Sequence, residues 1–255
     1  MTVSGTLDAD QRRRRIADLL GSEGALRLNE TAESLGVHPM TVRRDFEVFV
    51  TRGLARRVRG GVIAIEGDDF EHRRYVNATA KQQIAAKLQR FVLPGQVLGL
   101  DSSTTVGAFA ESLTAPTTPP GLTVITNGLR AHRALHARPG VTAYLTGGFQ
   151  EDQNESLVGA VAEAALGMFA IDTAILSTMS IDQRFGTSET TMEQASFTRV
   201  LAGSAERVVL AVDSSKLGTK ARFRSLDLSD HDVLVTELDP ADSRLDPYRG
   251  DVEII

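Results

Sequence analysis

VHPMTVRRDFEVFVTRGLARRVRGGV, residues 37–62, is the stretch on which the reading of this chain turns. Pro39 suits the first position of a helix, where its missing N–H would have had no partner. Val42, Phe46, Phe49 and Val50 recur at three- and four-residue steps, so a helix running to about Arg52 has one buried face. Thr41, Arg43 and Arg44 fall on the opposite face. Gly53 ends the helix, and residues 54–58, Gly60, Gly61 and Val62 predict a tight, arginine-rich hairpin. Upstream, Ile16, Leu19 and Leu20 follow four arginines at helical spacing, and Gly24 stops that helix. A second helix covers about 29–35 and ends at Gly36, leaving Val37 in a turn. Helix, turn, helix and hairpin within about sixty residues form a winged helix-turn-helix pattern.

Such a motif lays its second helix in the major groove, with the N-terminal residues at the base edges. His38, Met40, Thr41, Arg43 and Arg44 are therefore the candidate DNA-reading residues. Arginine pairs with guanine through two parallel hydrogen bonds, and a threonine meets a phosphate or a thymine methyl. The helix N-terminus is expected to favour a phosphate as well. Arg56, Arg57 and Arg59 on the hairpin would enter the minor groove or grip the backbone. Arg12, Arg13, Arg14 and Arg15 would add phosphate contacts, which carry little sequence information. Asp45 is expected to orient Arg43 or Arg44 through a salt bridge. Charge agrees with this: residues 1–62 hold 11 basic and 8 acidic side chains, a net of +3, against 17 and 25, a net of −8, in the rest. Taken singly, an arginine pair on a helix is more often a solvated face.

Residues 63–79 are polar and weakly periodic and read as a linker. Domain bounds of 1–62 and 80–255 follow. Beyond Lys81, apolar strand-like runs at 96–101, 122–126, 141–146, 173–177, 207–213, 233–236 and 252–255 alternate with helical stretches at 81–91, 106–113, 129–136, 157–169 and 192–202. That alternation predicts a mostly parallel α/β sheet covered by helices on both faces. TAPTTPPG at 114–121 reads as a surface loop. Cysteine is absent, which excludes disulfides, cysteine-ligated zinc and a thiol nucleophile, and fits the cytoplasm. No apolar run approaches the ~18 residues of a membrane span, and the arginine-rich N-terminus is not a secretory signal.

VHPMTVRRDF (37–46) followed by GLARRVRGG (53–61) closely resembles the DeoR family of bacterial transcriptional regulators. That family reads V-S-x-x-T-[IV]-R-R-D-L and then G-x-[LI]-x-R-x-H-G-G-[AV]. The chain departs from it at His38, in place of the usual capping serine, at Thr31 and at Arg59. Its second half resembles the family's sensor domain through DSSTT (101–105), TN (126–127), GG (147–148), SLVG (156–159) and DSSK (213–216). The resemblance implies a fold similar to ribose 5-phosphate isomerase, a phosphorylated-sugar effector and repression that the effector relieves.

The physical reading agrees. DSSTT, TN, GG and DSSK each follow a strand, and ligands of open parallel sheets bind at the C-terminal strand ends. Asp101, Ser102, Ser103, Thr104, Thr105, Thr126, Asn127, Gly147, Gly148, Ser177, Asp182, Asp213 and Lys216 are the candidate effector residues. Lys216 supplies the cation for a phosphate. Each stretch alone has a plainer account as a helix cap, a turn or a surface ion pair; their joint placement favours a site. Lys81 and Arg73 also match family positions, with docking of the linker an equal account. Where the family has a G-x-x-G-[IV]-D loop this chain has STMSID (177–182), so Ser177 and Ser180 are expected to narrow the crevice or add hydroxyls.

A regulator answering to a non-phosphorylated ligand or a protein partner stays open as an alternative. An isomerase stays open too, with Asp101, Asp182, Glu189 and Asp213 as its available acids. His132 and His136 share a helix face without further ligands at metal spacing, so neither a metal nor a cofactor is expected. A homodimer or homotetramer on a repeated or palindromic double-stranded operator is expected, because two heads raise effective concentration.

Overall fold

The computed structural model describes residues 8–65, 70–113, 118–151 and 154–255. The first half of the Pro/Thr-rich loop, 114–117, lies outside the described residues, as does the middle of the expected linker, 66–69. The chain divides into two compact units, Met1–Thr79 and Ala80–Ile255.

In the first unit, helix α1 (Ala9–Glu23) starts at a capping box between Asp8 and Gln11 and stops at left-handed Gly24. Strand β1 (Ala25–Arg27) leads into α2 (Leu28–Leu35), then α3 (Pro39–Thr51). Strands β2 (Ala55–Val58) and β3 (Gly61–Ala64) form the hairpin, turning at Arg59 and Gly60. The sheet order is β1-β3-β2, antiparallel throughout. Ile16, Leu20, Leu26, Leu35, Val42, Phe46, Phe49, Leu54 and Val62 make one apolar core. β1 is too short for periodicity to reveal, yet it fixes the wing: a Cβ on Gly61 would stand 1.9 Å from the Leu26 carbonyl oxygen.

The expected linker 63–79 proves partly structured. Ile63 and Ala64 finish β3, and helix α4 (Phe70–Tyr75) buries Phe70. Tyr75 packs its ring 5.3 Å from that of Phe49. Helix α5 (Ala78–Leu88) carries the boundary between the units at Thr79 and Ala80.

The second unit runs β4 (Val97–Leu100), α6 (Thr104–Ser112), β5 (Leu122–Thr126), α7 (Leu129–Leu135), β6 (Val141–Leu145), β7 (Phe149–Glu151), β8 (Ser156–Val158) and α8 (Ala160–Leu166). It continues through β9 (Ile171–Leu176), β10 (Ser180–Asp182), β11 (Gly186–Glu189), α9 (Met192–Gly203), β12 (Ala205–Ala211), β13 (Phe223–Arg224), β14 (Val233–Val235) and β15 (Glu253–Ile254). Seven strands form one sheet, in the order β15-β14-β12-β9-β4-β5-β6, and every pairing in it is parallel.

Residues of α5, α6 and α7 pack with Leu98, Leu100, Val124, Ile175, Val209 and Val235 on one face. Residues of α8 and α9 pack with Ile125, Ala174, Leu176 and Val208 on the other. Helices therefore cover both faces, as the near-continuous apolar strands require. The expected helix at 157–169 is shorter: Leu157 belongs to β8, which pairs with β7, and the helix begins only after left-handed Gly159. β10, β11 and β13 form a separate small antiparallel sheet.

Candidate nucleic-acid interface and effector site

Helix α3 exposes one charged flank. Arg43, Arg44, His38 and Met40 are exposed and Thr41 is half-buried, while Val42, Phe46 and Phe49 anchor the helix to the core. Arg56, Arg57 and Arg59 are exposed on the hairpin. Arg57 reaches Glu47 of α3 at 3.2 Å, which brings the hairpin beside that helix.

Two expectations about this surface change. Asp45 does not orient Arg43 or Arg44: it is buried and bound by α1, with Arg12 Nε donating at 2.5 Å and Arg13 Nε at 3.1 Å. Three helical positions separate Asp45 from Val42, so it sits on the buried side, where only a neighbouring element can reach it. Arg12 and Arg13 are accordingly drawn toward Asp45, while Arg14 is half-buried and Arg15 exposed. Arg43 and Arg57 instead approach Glu47, at 3.8 and 3.2 Å. The helix N-terminus also offers a phosphate less than expected. Pro39 has no N–H, Met40 N donates to His38 Nδ1 at 3.2 Å, and Thr41 N donates to the His38 carbonyl at 2.8 Å.

In the second unit the chain steps from β4 to β5 and β6 on one side, then returns to place β9 and β12 on the other. The order reverses between β4 and β9, which is where open parallel sheets form a crevice. Asp101 and Ser177 end those two strands, and Ser177 N donates to Asp101 Oδ2 at 2.6 Å. Asp101 Oδ1 accepts from Ser103 N at 2.9 Å. Burial pushes the Asp101 carboxyl above the usual carboxylate range, while these bonds and the Lys216 charge pull it back. Lys216 Nζ donates to Ser177 Oγ at 3.2 Å and to the Thr178 carbonyl at 2.6 Å. Asp213 ends the next strand outward and caps the turn that carries Lys216, accepting from Ser215 N.

Ser103 caps α6 by accepting from Val106 N at 3.1 Å. The amides of Thr104 and Thr105, in the first turn, have no acceptor within the helix. Ser102 and Thr126 are buried, and Thr126 Oγ1 accepts from Gly128 N at 3.0 Å. Gly128 lets the two loops touch, since a Cβ there would lie 2.8 Å from the Ser102 Cα. Gly148 plays the same part after β6: its φ is +115°, and a Cβ would meet the Val158 carbonyl oxygen at 2.5 Å. Gly147 precedes it, also left-handed.

Asp182 is not brought to this cluster. It closes the β10–β11 turn, accepting from Arg184 N and Phe185 N, and stands 3.4 Å from Lys220. The bond from Phe185 N leads the effects that hold its carboxyl below the usual range. Ser180 begins β10 opposite Ser188 rather than lying in an open loop. His132 and His136 stack on each other at 5.3 Å, and no group of metal-ligating side chains occurs among the described residues.

Sequence reasoning passed over several residues here. Glu151 accepts from Gln194 Nε2 at 2.7 Å, from Ser156 Oγ at 3.2 Å and from Asn154, tying the β7–β8 hairpin to α9. Glu189, weighed only as an acid for catalysis, ends β11 and accepts from Met179 N at 3.3 Å. Burial lifts its carboxyl to about 7, with the Asp101 charge adding to the rise and Lys216 opposing it. Periodicity marks neither glutamate: Gln194, which ties Glu151 to α9, is 43 residues away, and Met179, which binds Glu189, is 10 away. An open groove lined by Arg199, Gly203, Arg224, Leu226, Asp227 and Asp230 lies where α9 leads into β12, the opposite end of that strand. Its charges are already engaged: Arg224 pairs with Asp227, and Arg199 donates to the Arg224 carbonyl at 2.8 Å.

Comparison with known proteins bears on both units. Residues 12–67 match the DeoR-like helix-turn-helix domain and residues 76–238 the DeoR C terminal sensor domain. The L-fucose operon activator of Haemophilus influenzae is 30% identical over 218 residues, covering 84% of this chain and 86% of its own. The glycerol-3-phosphate regulon repressor of Escherichia coli K12 is 25% identical over 233 residues, covering 90% and 91%. A structure of ribose 5-phosphate isomerase from Methanocaldococcus jannaschii aligns over 55% of this chain and 54% of its own, at 16% identity and a TM-score of 0.40.

Proposed function

The chain belongs to the DeoR family of transcriptional regulators, and on that premise we propose that it represses carbohydrate-metabolism genes until a phosphorylated sugar releases it from DNA. It is a DNA-binding regulator and not an enzyme, so the isomerase alternative falls. The reading of its DNA contacts rests on α3 with the hairpin: Arg44 and Arg43 reach base edges, Thr41, His38 and Met40 flank them, and Arg56, Arg57 and Arg59 hold the backbone or the minor groove. Its placement is cytoplasmic, with the DNA, and its working form is a homodimer or homotetramer on a repeated operator.

The observation that carries the effector half is the meeting of Asp101, Ser177 and Lys216 where the sheet order reverses. A phosphate is held by the first-turn amides of α6 and by Lys216. The effector must bind the DNA-competent and DNA-incompetent arrangements unequally, or it switches nothing.

Two substitutions test this, on an operator recovered by selection from random duplex DNA. Arg44→Ala is expected to weaken operator binding about 10- to 100-fold, the worth of one bidentate base contact. Fluorescence anisotropy measures it, and unchanged affinity removes the recognition-helix assignment. Lys216→Ala is expected to abolish release of the operator by sugar phosphates; a mobility-shift titration showing the same release as the parent chain removes the effector assignment.

A further inference from the structure

Three buried side-chain oxygens on the segments that form the strand ends have no hydrogen-bond partner among the described residues: Thr105 Oγ1, Asn127 Oδ1 and Glu189 Oε1. Thr105 and Asn127 are wholly buried. The other atoms of these groups are spoken for. Asn127 Nδ2 donates to the Leu157 carbonyl at 3.1 Å, and Glu189 Oε2 takes the Met179 N–H. The Thr178 hydroxyl stands beside the Glu189 carboxyl, but its proton is directed to the Ser188 and Ser180 carbonyls, at 2.9 and 3.1 Å. An amide oxygen accepts, and so does the Glu189 carboxylate once ionised, above about pH 7. A buried acceptor left without a donor costs the fold the desolvation of that group, a penalty that a suitable ligand would lift. A phosphate group brings chiefly acceptors and cannot do so. Sugar and polyol hydroxyls bring donors.

We propose that Glu189 Oε1 and Asn127 Oδ1 accept hydrogen bonds from hydroxyl groups of the effector and so decide which phosphorylated sugar or polyol the sensor takes. The inference rests on the effector reading above and divides the labour within that site. The α6 amides and Lys216 hold a phosphate, which every such compound shares. Glu189 and Asn127 distinguish among compounds by the hydroxyls carried beyond it. Discrimination of this kind is strong, because a site built to bond a hydroxyl is left with an unpaired buried group when the hydroxyl is missing.

The test is calorimetric titration of the full-length chain at pH 8, where Glu189 is ionised, with inorganic phosphate, glycerol 3-phosphate, ribose 5-phosphate, 2-deoxyribose 5-phosphate, fructose 6-phosphate and glucosamine 6-phosphate. The parent chain is expected to prefer one hydroxylated compound over its less hydroxylated counterparts by at least about tenfold, and Glu189→Ala to bring that ratio down to about threefold or less. Should Glu189→Ala fail to fold, Glu189→Met carries the test: it keeps the side-chain length and removes both oxygens, so a ligand hydroxyl finds no polar partner there and the preference again drops. A preference unchanged in a folded variant overturns the inference and leaves the phosphorylated effector standing. Absence of binding by every compound to the parent chain overturns both.

Discussion

Asp45→Ala is expected to cost the N-terminal unit about 3–5 kcal/mol, the usual toll for breaking a buried ion pair from one side. Asp45 is 1% exposed and Arg12 11%, and the carboxylate takes Arg12 and Arg13 together. Removing it takes from Arg12 and Arg13 the carboxylate that both engage, and with it the ion pairs that tie α3 to α1 beside their shared apolar core. Operator binding should fall with stability, because Arg43 and Arg44 keep their place only while α3 keeps its own. Arg13→Ala should cost less, since Arg13 is 32% exposed and Arg12 still covers the acid. Thermal unfolding followed by circular dichroism reads the first effect, and a loss below about 1 kcal/mol would remove Asp45 from this role. Salt dependence reads the rest. Every DNA phosphate that a missing arginine no longer neutralises lowers the slope of log affinity against log salt by about 1. Arg14→Ala or Arg15→Ala is expected to lower it, whereas Arg13→Ala leaves it in place.

Glu189→Gln is expected to stabilise the sensor, and to do so only toward alkaline pH. The ordinary glutamate value is 4.5, and in the ligand-free fold burial raises it to about 7. Between those values the folded chain holds a proton that the unfolded chain has lost, so stability declines as pH rises through this window. Above about 7 the ionised, buried carboxylate leaves a deficit of about 3 kcal/mol, at roughly 1.4 kcal/mol per pH unit. Glutamine does not titrate. The variant's advantage over the parent should therefore grow by about 3 kcal/mol from pH 4.5 to pH 8, or about 6–12 °C in the sensor transition. Scanning calorimetry at the two pH values measures it; an advantage independent of pH would show the carboxyl to be exposed and ordinary. The same carboxylate serves the ligand, so the sensor gives up stability in its empty state to keep an acceptor ready.

The DNA-reading unit was largely legible because its logic is local. Pro39, Gly24, Gly36 and Gly53 punctuate helices within the reach of a few residues, and the apolar positions of α3 share one face. What misled was the partner of Asp45. The neighbouring arginines in sequence point away from it, and those that bind it lie 33 and 32 residues upstream. The seven central strands were likewise read at nearly the right places, because strands buried on both faces are continuously apolar. The short strands β7, β8, β10, β11 and β13 escaped notice: they are two to four residues long and pair with polar neighbours. The site divides the same way. Asp101, Ser177, Asp213 and Lys216 sit after recognisable strands, whereas the bonds that join Glu151 to Gln194 and Glu189 to Met179 are tertiary.

The hydrogen bond from Ser177 N to Asp101 joins residues 76 positions apart in the chain. Until β9 has been synthesised and has added itself beside β4, neither the crevice nor the lysine lodged at its end exists. The N-terminal head needs no such wait, since its strands pair within forty residues of one another. Pairings that close long loops form slowly, and domains fold in turn as they leave the ribosome. Each newly made molecule thus passes through an interval in which its N-terminal unit can be folded while the crevice of its second unit is still unmade.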